Sequence, residues 1–155
     1  MLQAFPRIEV ELFTGGAAWL VSVLSGVVML RVDEGWALAF SGQPMVVTTA
    51  CSATDFFLMI AALCGWHFAQ WIRPRRLLPA AVSAALITAV PLTLFINALR
   101  IVAVAQAHCW VIPRVSPAYG YFLHMFTGVA VFLPALITLN LLLEIYGRSY
   151  TAARD

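Results

Sequence analysis

The sequence predicts an all-α membrane protein, a polytopic transmembrane helix bundle of about four spans. Hydrophobic residues make up 63% of the 155 residues and charged residues 10%, against about 45–50% and about 25% in soluble domains. The mean hydropathy of +0.92 agrees with this class. A soluble chain of this length would expose large apolar patches. The composition therefore excludes an aqueous enzyme, a disordered tail and a nucleic-acid binder, and it predicts the lipid bilayer as the surrounding medium.

Four apolar stretches are the candidate spans, because a helix needs about 20 residues to cross the hydrocarbon. They lie at residues 12–30, 56–72, 77–99 and 118–143 of one integral membrane domain, residues 1–155. Backbone amides in lipid must be paired internally, so we expect helices. A cleaved signal peptide is the alternative for the first stretch, but the preceding segment has one Arg and two Glu, unlike a positive leader. Residues 101–117 either continue the third helix, lie along the interface or add a short fifth span.

The arginines predict the orientation, since all nine basic residues are Arg. The basic turn at residues 73–76, Arg-Pro-Arg-Arg, is placed in the cytoplasm by the positive-inside rule. Four spans then put both termini in the cytoplasm and leave Arg31, Arg100 and Arg114 outside. The predicted location is an inner (cell) membrane, crossed several times. Outside, residues 36–40 and 45–49 flank a Ser-Gly-Gln-Pro turn, which predicts a small hairpin or extended cap before the second helix.

Three reactive side chains gather at the outer ends of three predicted helices. Cys51 lies just before the second stretch, Arg100 closes the third, and His124 lies in the first turns of the fourth. Cys supplies a nucleophile, His transfers protons near neutral pH, and Arg donates hydrogen bonds that stabilise an oxyanion. Together they predict a site for acyl transfer at the extracytoplasmic face.

Two polar residues are predicted to support this site. Asp55 follows Cys51 by four residues and is expected on the same helical face, where it would orient His124 or pair with Arg100. Asn97 precedes Arg100 by three residues and shares its face. Each residue also has a structural explanation: Cys is a common filler, Arg at a helix end extends to the headgroups, and an acid suits a helix N-terminus.

The remaining polar candidates are weaker. We interpret Cys64 as a packing residue. A metal site built from His108, Cys109, His124 and Asp55 would need four ligands to converge from separate segments. We therefore expect neither a metal nor another cofactor.

Three segments of the chain resemble the exosortase/archaeosortase family. They are Thr-Ala-Cys-Ser-Ala-Thr-Asp-Phe-Phe at 49–57, a helix with Pro91 and Asn-Ala-Leu-Arg-Ile at 97–101, and Phe-Leu-His-Met-Phe-Thr-Gly at 122–128. In that family a Cys, an Arg and a His stand at outer helix ends in this order. The match spans residues 51–128, about half of the chain. The short length and Asp-Phe-Phe look most like a compact subtype such as exosortase K, whereas Ala53 replaces the Gly of many members.

The resemblance implies a membrane-embedded cysteine transpeptidase or thiol protease. Such enzymes process exported, membrane-anchored proteins that carry a C-terminal sorting signal, through a thioester. Carried onto this chain, Cys51 is the nucleophile, Arg100 the oxyanion stabiliser and His124 the proton-transfer residue. Two alternatives stay open: an intramembrane hydrolase without transpeptidation, and a non-enzymatic assembly or transporter subunit with a structural Arg100–Asp55 pair.

Overall fold

The chain is mostly helical in the computed structural model, which describes residues 11–33, 35–40, 43–48, 51, 53–72, 75–111, 114 and 119–152. Its elements, in chain order, are a π-helical turn Glu11–Gly15, α1 Gly16–Ser25, β1 Met29–Val32, β2 Gly35–Phe40, β3 Gln43–Val47, α2 Thr54–Trp71, a 3-10 turn Arg75–Leu77, α3 Leu78–Trp110 and α4 Gly120–Ala152. The helical character is confirmed, and a small sheet accompanies the helices. Residues 1–10, which belong to the predicted cytoplasmic N-terminus, and residues 73–74 of the predicted basic turn lie outside the described residues.

Two helices are long and apolar enough to cross a membrane, by length and composition: Leu78–Trp110 and Phe122–Ser149. The third predicted stretch thus continues past residue 99 as one helix of 33 residues, about 50 Å long at the usual rise per residue. Because residues 101–110 belong to this helix, they do not form a separate fifth span. The predicted start of the fourth stretch at residue 118 lies outside the described residues, and the helix extends beyond the predicted end.

The first apolar stretch differs from the prediction. Helix α1 ends at Ser25, where Gly26 adopts the left-handed conformation with φ of 66°, and the chain returns as β1. Arg31 Nη2 then lies 2.6 Å from Glu11 Oε1. The predicted span 12–30 is wrong, because its two ends lie together rather than on opposite sides of a membrane. Apolar composition does not distinguish a spanning helix from a helix and strand that pack on protein.

The predicted hairpin before Cys51 is confirmed and carries one additional strand. The three strands pair antiparallel in the order β1-β2-β3, with Trp36 opposite Val47 and Val32 opposite Gly35. Gly35 has φ of 147°, and a Cβ there would meet the Val47 carbonyl oxygen. Glycine is therefore required where β2 begins.

Helix α1 and the sheet pack on α3 beside Cys51. Their buried side chains form one cluster with the α3 residues at the level of Arg100. The members are Ala17, Ala18, Val21, Leu38, Val47, Cys51, Ala98 and Ile101. The sheet and α1 thus form a cap over the segment that holds the predicted nucleophile.

Helices α2, α3 and α4 share a second core. Gly65 and Ala85 face each other at the α2–α3 contact, where a Cβ on Gly65 would lie 3.8 Å from the Ala85 Cβ. Small residues at such positions let helix backbones approach closely. Cys64 is fully buried in the same cluster, as expected for a packing residue. Helix α4 joins through Phe132, which stacks on Phe56 with ring centroids 4.1 Å apart.

A polar chain ties α2 to α4 at the end remote from Cys51. His67 Nε2 lies 3.1 Å from Asn140 Oδ1, and Asn140 Nδ2 donates to Glu144 Oε1 at 2.9 Å. Because the amide nitrogen of Asn140 points to Glu144, its oxygen accepts a hydrogen bond from His67. The buried imidazole of His67 therefore has a hydrogen-bond partner on α4.

We expect Gly35→Ala to destabilise the protein by at least about 3 kcal/mol, because it combines a strained φ with a backbone clash. Gly26→Ala, with a positive φ but nothing within 4 Å of its Cβ, should cost about 1–2 kcal/mol. Gly120→Ala, also in open space, should be near neutral. Unfolding of the three variants by denaturant in detergent measures this order. Equal stability of Gly35→Ala and Gly26→Ala would contradict the close packing of β2 on Val47.

Candidate active site

Arg100 and His124 meet in the structure, as their predicted common depth requires. Arg100 Nη2 lies 3.3 Å from His124 Nε2, joining α3 to α4. Both side chains are half-buried. A guanidinium carries only donors, so Nε2 of His124 accepts this hydrogen bond. The proton of the neutral imidazole is then on Nδ1.

Glycine and aromatic residues on α4 make room for the guanidinium. A Cβ on Gly128 would lie only 3.3 Å from Arg100 Nε, so the absence of a side chain lets Arg100 lie against the α4 backbone. One turn further, the Phe132 ring faces Arg100 Cζ at 5.3 Å from its centroid, a cation–π contact. Arg100 therefore occupies the space that Gly128 leaves open beside His124.

Cys51 is held in a tight turn between the sheet and α2. Its N–H donates to the Thr48 carbonyl oxygen at 2.9 Å, and Asn97 Nδ2 donates to the Cys51 carbonyl oxygen at 3.0 Å. The side chain is only 6% exposed and lies in the cluster beneath the cap. Asn97 and Arg100 are three residues apart, about 4.5 Å along the helix. Asn97 thus links the backbone of Cys51 to the helix turn that carries Arg100.

The predicted site residues are not all in contact. Within the described part of the chain, no hydrogen bond joins the Cys51 thiol to His124 or Arg100. Asp55 is exposed, and neither ion pair between described residues includes it. The expectation that Cys51 and Asp55 share one helical face is wrong, because α2 begins at Thr54 and Cys51 precedes it in a separate turn.

Three buried polar atoms lack a hydrogen-bond partner among the described residues. They are Thr93 Oγ1, Asn97 Oδ1 and Arg100 Nε. Thr93 and Asn97 have 0% exposed surface. All three residues belong to α3, and two of them belong to the predicted site. Buried polar groups without partners are uncommon in folded proteins. These three atoms therefore distinguish the segment of α3 from Thr93 to Arg100 from the rest of the described residues.

Sequence reasoning missed Phe132 and Thr93. Both had a detectable signal, since Phe132 follows His124 and Gly128 at four-residue spacing, and Thr93 precedes Asn97 by the same interval. The burial of Cys51 beneath α1 had no such signal, because it depends on the reversal after Ser25. Among the described residues, no three His, Cys, Asp or Glu side chains lie together as metal ligands.

The chain matches no protein-family model, no curated protein and no solved structure at a significant level. The catalytic roles of Cys51, Arg100 and His124 therefore stay predictions that depend on the residues and their geometry.

We expect Asn97→Ala to raise the rate at which a small thiol reagent, methyl methanethiosulfonate, modifies Cys51 by about tenfold. The variant leaves the buried Cys51 carbonyl unpaired, at a cost of about 1–3 kcal/mol, so its turn should open more often. Cys64, buried in the other cluster, is the internal control and should react at its original rate. Equal acceleration of both thiols would show general loosening instead of a local role for Asn97.

Proposed function

We propose that this chain is a membrane-embedded cysteine peptidase or transpeptidase of the exosortase type, which cleaves a C-terminal sorting signal of exported proteins. The observation that carries this proposal is the hydrogen bond between Arg100 and His124, with Cys51 fixed through Asn97 one helical turn away. The backbone of Cys51 is thereby held within one helical turn of Arg100, which supports a base, an oxyanion donor and a thiol from three segments of the chain acting together. Such a set is what acyl transfer requires.

The proposed setting is a lipid membrane in which α2, α3 and α4 cross the hydrocarbon. Helices α3 and α4 carry the long apolar segments, and α2 packs on α3 through small residues. Helix α1 and the sheet rest as a cap on the outer part of α3, because their shared cluster lies beside Ala98 and Ile101. This arrangement replaces the four-span topology and keeps the basic turn at 73–76 on the cytoplasmic side.

The first chemical step follows from the protonation state of His124. The neutral imidazole has one basic nitrogen, Nε2, and in the resting structure that nitrogen accepts a hydrogen bond from Arg100. Arg100 Nη2 must therefore release Nε2 before His124 takes the thiol proton from Cys51. The thiolate then attacks the scissile carbonyl carbon and forms a C–S bond. Arg100 Nε, which has no partner among the described residues, is a free donor for the oxyanion. Cys51 must first emerge from beneath the cap, since its side chain is buried.

The second step completes the transfer. When the C–N bond breaks, the imidazolium of His124 donates its proton to the leaving amine, and the acyl group stays on Cys51 as a thioester. A second amine or a water molecule attacks the thioester carbonyl and gives its proton to His124. The Cys51 thiolate leaves and recovers that proton. Amine as the acceptor gives transpeptidation, and water gives hydrolysis.

A non-enzymatic assembly or transporter subunit is the second candidate. It assigns Arg100 a structural ion pair with Asp55. Arg100 instead contacts His124 and Phe132, and Asp55 is exposed. The arrangement therefore favours the enzyme.

We expect Cys51→Ala to abolish processing while the protein stays in the membrane. The test is a pulse-chase of an exported protein from the same organism that ends in a short motif, a membrane helix and a basic tail. Cys64→Ala and Cys109→Ala are matched controls and should keep activity, because one thiol is buried in the second cluster and the other is exposed at the end of α3. Full processing by Cys51→Ala would rule out a thiol mechanism.

We expect Arg100→Lys to insert normally but to process the same reporter on the order of a hundredfold more slowly. Lys keeps the positive charge, but its compact ammonium cannot bond His124 and also offer a separate donor to the oxyanion. Loss of one oxyanion donor costs about 10²–10³ in rate. Arg114→Lys is the control, because Arg114 is exposed and bonds only the Trp110 carbonyl oxygen among the described residues. Normal processing by Arg100→Lys would reduce Arg100 to a charged anchor.

A further inference from the structure

The three buried polar atoms without partners lie in one row on α3. From Thr93 to Asn97 and then to Arg100, the steps are four and three residues. At about 100° per residue, Asn97 and Arg100 lie within about 40° of Thr93 around the helix axis. The row starts at the predicted reacting level and descends about 10 Å toward the middle of α3. Every partnerless buried side-chain atom of the described residues belongs to this row.

This row is unfavourable in the structure as it stands. A buried donor or acceptor without a partner costs about 1–3 kcal/mol. Thr93 and Asn97 have no exposed surface, so solvent does not reach these atoms. A ligand that offers both donors and acceptors along the row would recover this energy.

An unwound polypeptide backbone in lipid also lacks hydrogen-bond partners. Where a membrane helix unwinds, its N–H and C=O groups lose their partners and find no water in the hydrocarbon. An extended strand presents groups on one side about every 6.6 Å. The steps of the row rise about 6 Å and about 4.5 Å along α3. Thr93 Oγ1 both donates and accepts, Asn97 Oδ1 accepts and Arg100 Nε donates, which suits alternating C=O and N–H groups.

We propose that Thr93, Asn97 and Arg100 bind the unwound backbone of a membrane-spanning peptide, the segment that a substrate extends toward Cys51. The inference rests on the proposed function for the identity of this peptide as substrate. It adds Thr93, for which the reaction itself has no use, as a binding residue below the reacting level. It also accounts for the burial of Cys51. In the resting protein the cap covers Cys51, and the three polar atoms have no peptide to pair with. A peptide that pairs with the row stabilises the open state.

Thr93→Val should leave the stability of the protein unchanged or raise it, and it should weaken peptide binding. Val has nearly the same shape and removes a hydroxyl that has no partner among the described residues, so the resting protein should unfold at the same temperature or a higher one. If the hydroxyl binds the peptide, the same change should weaken binding. If Thr93 acted only in packing, Thr93→Val would not weaken peptide binding while the unfolding temperature stayed the same or rose. Thr88→Val, a half-buried Thr on the same helix, is the matched control and should change neither.

The test measures peptide binding to the full chain in lipid nanodiscs, in a Cys51→Ala background that prevents cleavage. Two dye-labelled probes are compared: a Leu-rich single-span peptide, and the same peptide with a Gly-Pro pair in its outer third that unwinds the helix. We expect the interrupted peptide to bind more tightly. Thr93→Val should weaken that binding about three- to tenfold, the range of membrane hydrogen bonds, and leave the continuous peptide unaffected. Thr93→Ser, which keeps the hydroxyl, should retain the preference.

Equal affinity for the two probes, or a preference that survives Thr93→Val, would overturn the inference. A lower unfolding temperature for Thr93→Val would also overturn it, because the hydroxyl would then have a structural partner. Since binding is measured without the thiol, the result is independent of the proposed chemistry. A chain that prefers the interrupted peptide through Thr93 but forms no product with any sorting-signal protein would contradict the proposed function alone.

Discussion

The contact between the Arg100 guanidinium and α4 determines how the site is assembled. A guanidinium at a lipid-facing level is costly unless it is paired or faces protein. Here one nitrogen bonds His124, the guanidinium carbon lies over the Phe132 ring, and the missing side chain of Gly128 allows close approach to the backbone. Because His124, Gly128 and Phe132 recur every four residues, a single face of α4 provides all three contacts, and only Arg100 Nε is left without a hydrogen-bond partner among the described residues. The same contact favours the neutral imidazole of His124, whose Nε2 must leave Arg100 before it can accept a proton.

The cap depends on this part of α3 as well. Ala98 and Ile101, on either side of Arg100 in sequence, complete the cluster that buries Cys51 with α1 and the sheet. Asn97 adds a hydrogen bond to the backbone of the same residue. One stretch of α3, residues 97–101, therefore contacts the segment of Cys51 and also presents the Arg100 guanidinium to α4. A movement of the cap would therefore be transmitted to Arg100 and His124 through this stretch.

Much of this arrangement could be predicted from the sequence, because the signals are local. The second, third and fourth apolar stretches form helices, although α3 and α4 continue past the predicted ends at residues 99 and 143. The residues around the Ser-Gly-Gln-Pro turn form a hairpin, and Arg100 meets His124. The errors concern long-range contacts. The reversal after Gly26 and the Glu11–Arg31 ion pair depend on packing between segments, and hydropathy carries no information on them. The exposure of Asp55 follows from where α2 begins, which periodicity locates only within a few residues.

The most direct test of the central claim is detection of the acyl intermediate. Intact-protein and peptide mass spectrometry would be applied to the enzyme purified from cells that express it together with a sorting-signal protein. We expect a hydroxylamine-sensitive acyl adduct on Cys51, absent from Cys64 and Cys109, which is lost in His124→Ala and in Arg100→Ala. No adduct on Cys51, or an adduct that forms equally well without His124 and Arg100, would contradict the account that these three residues act as one site.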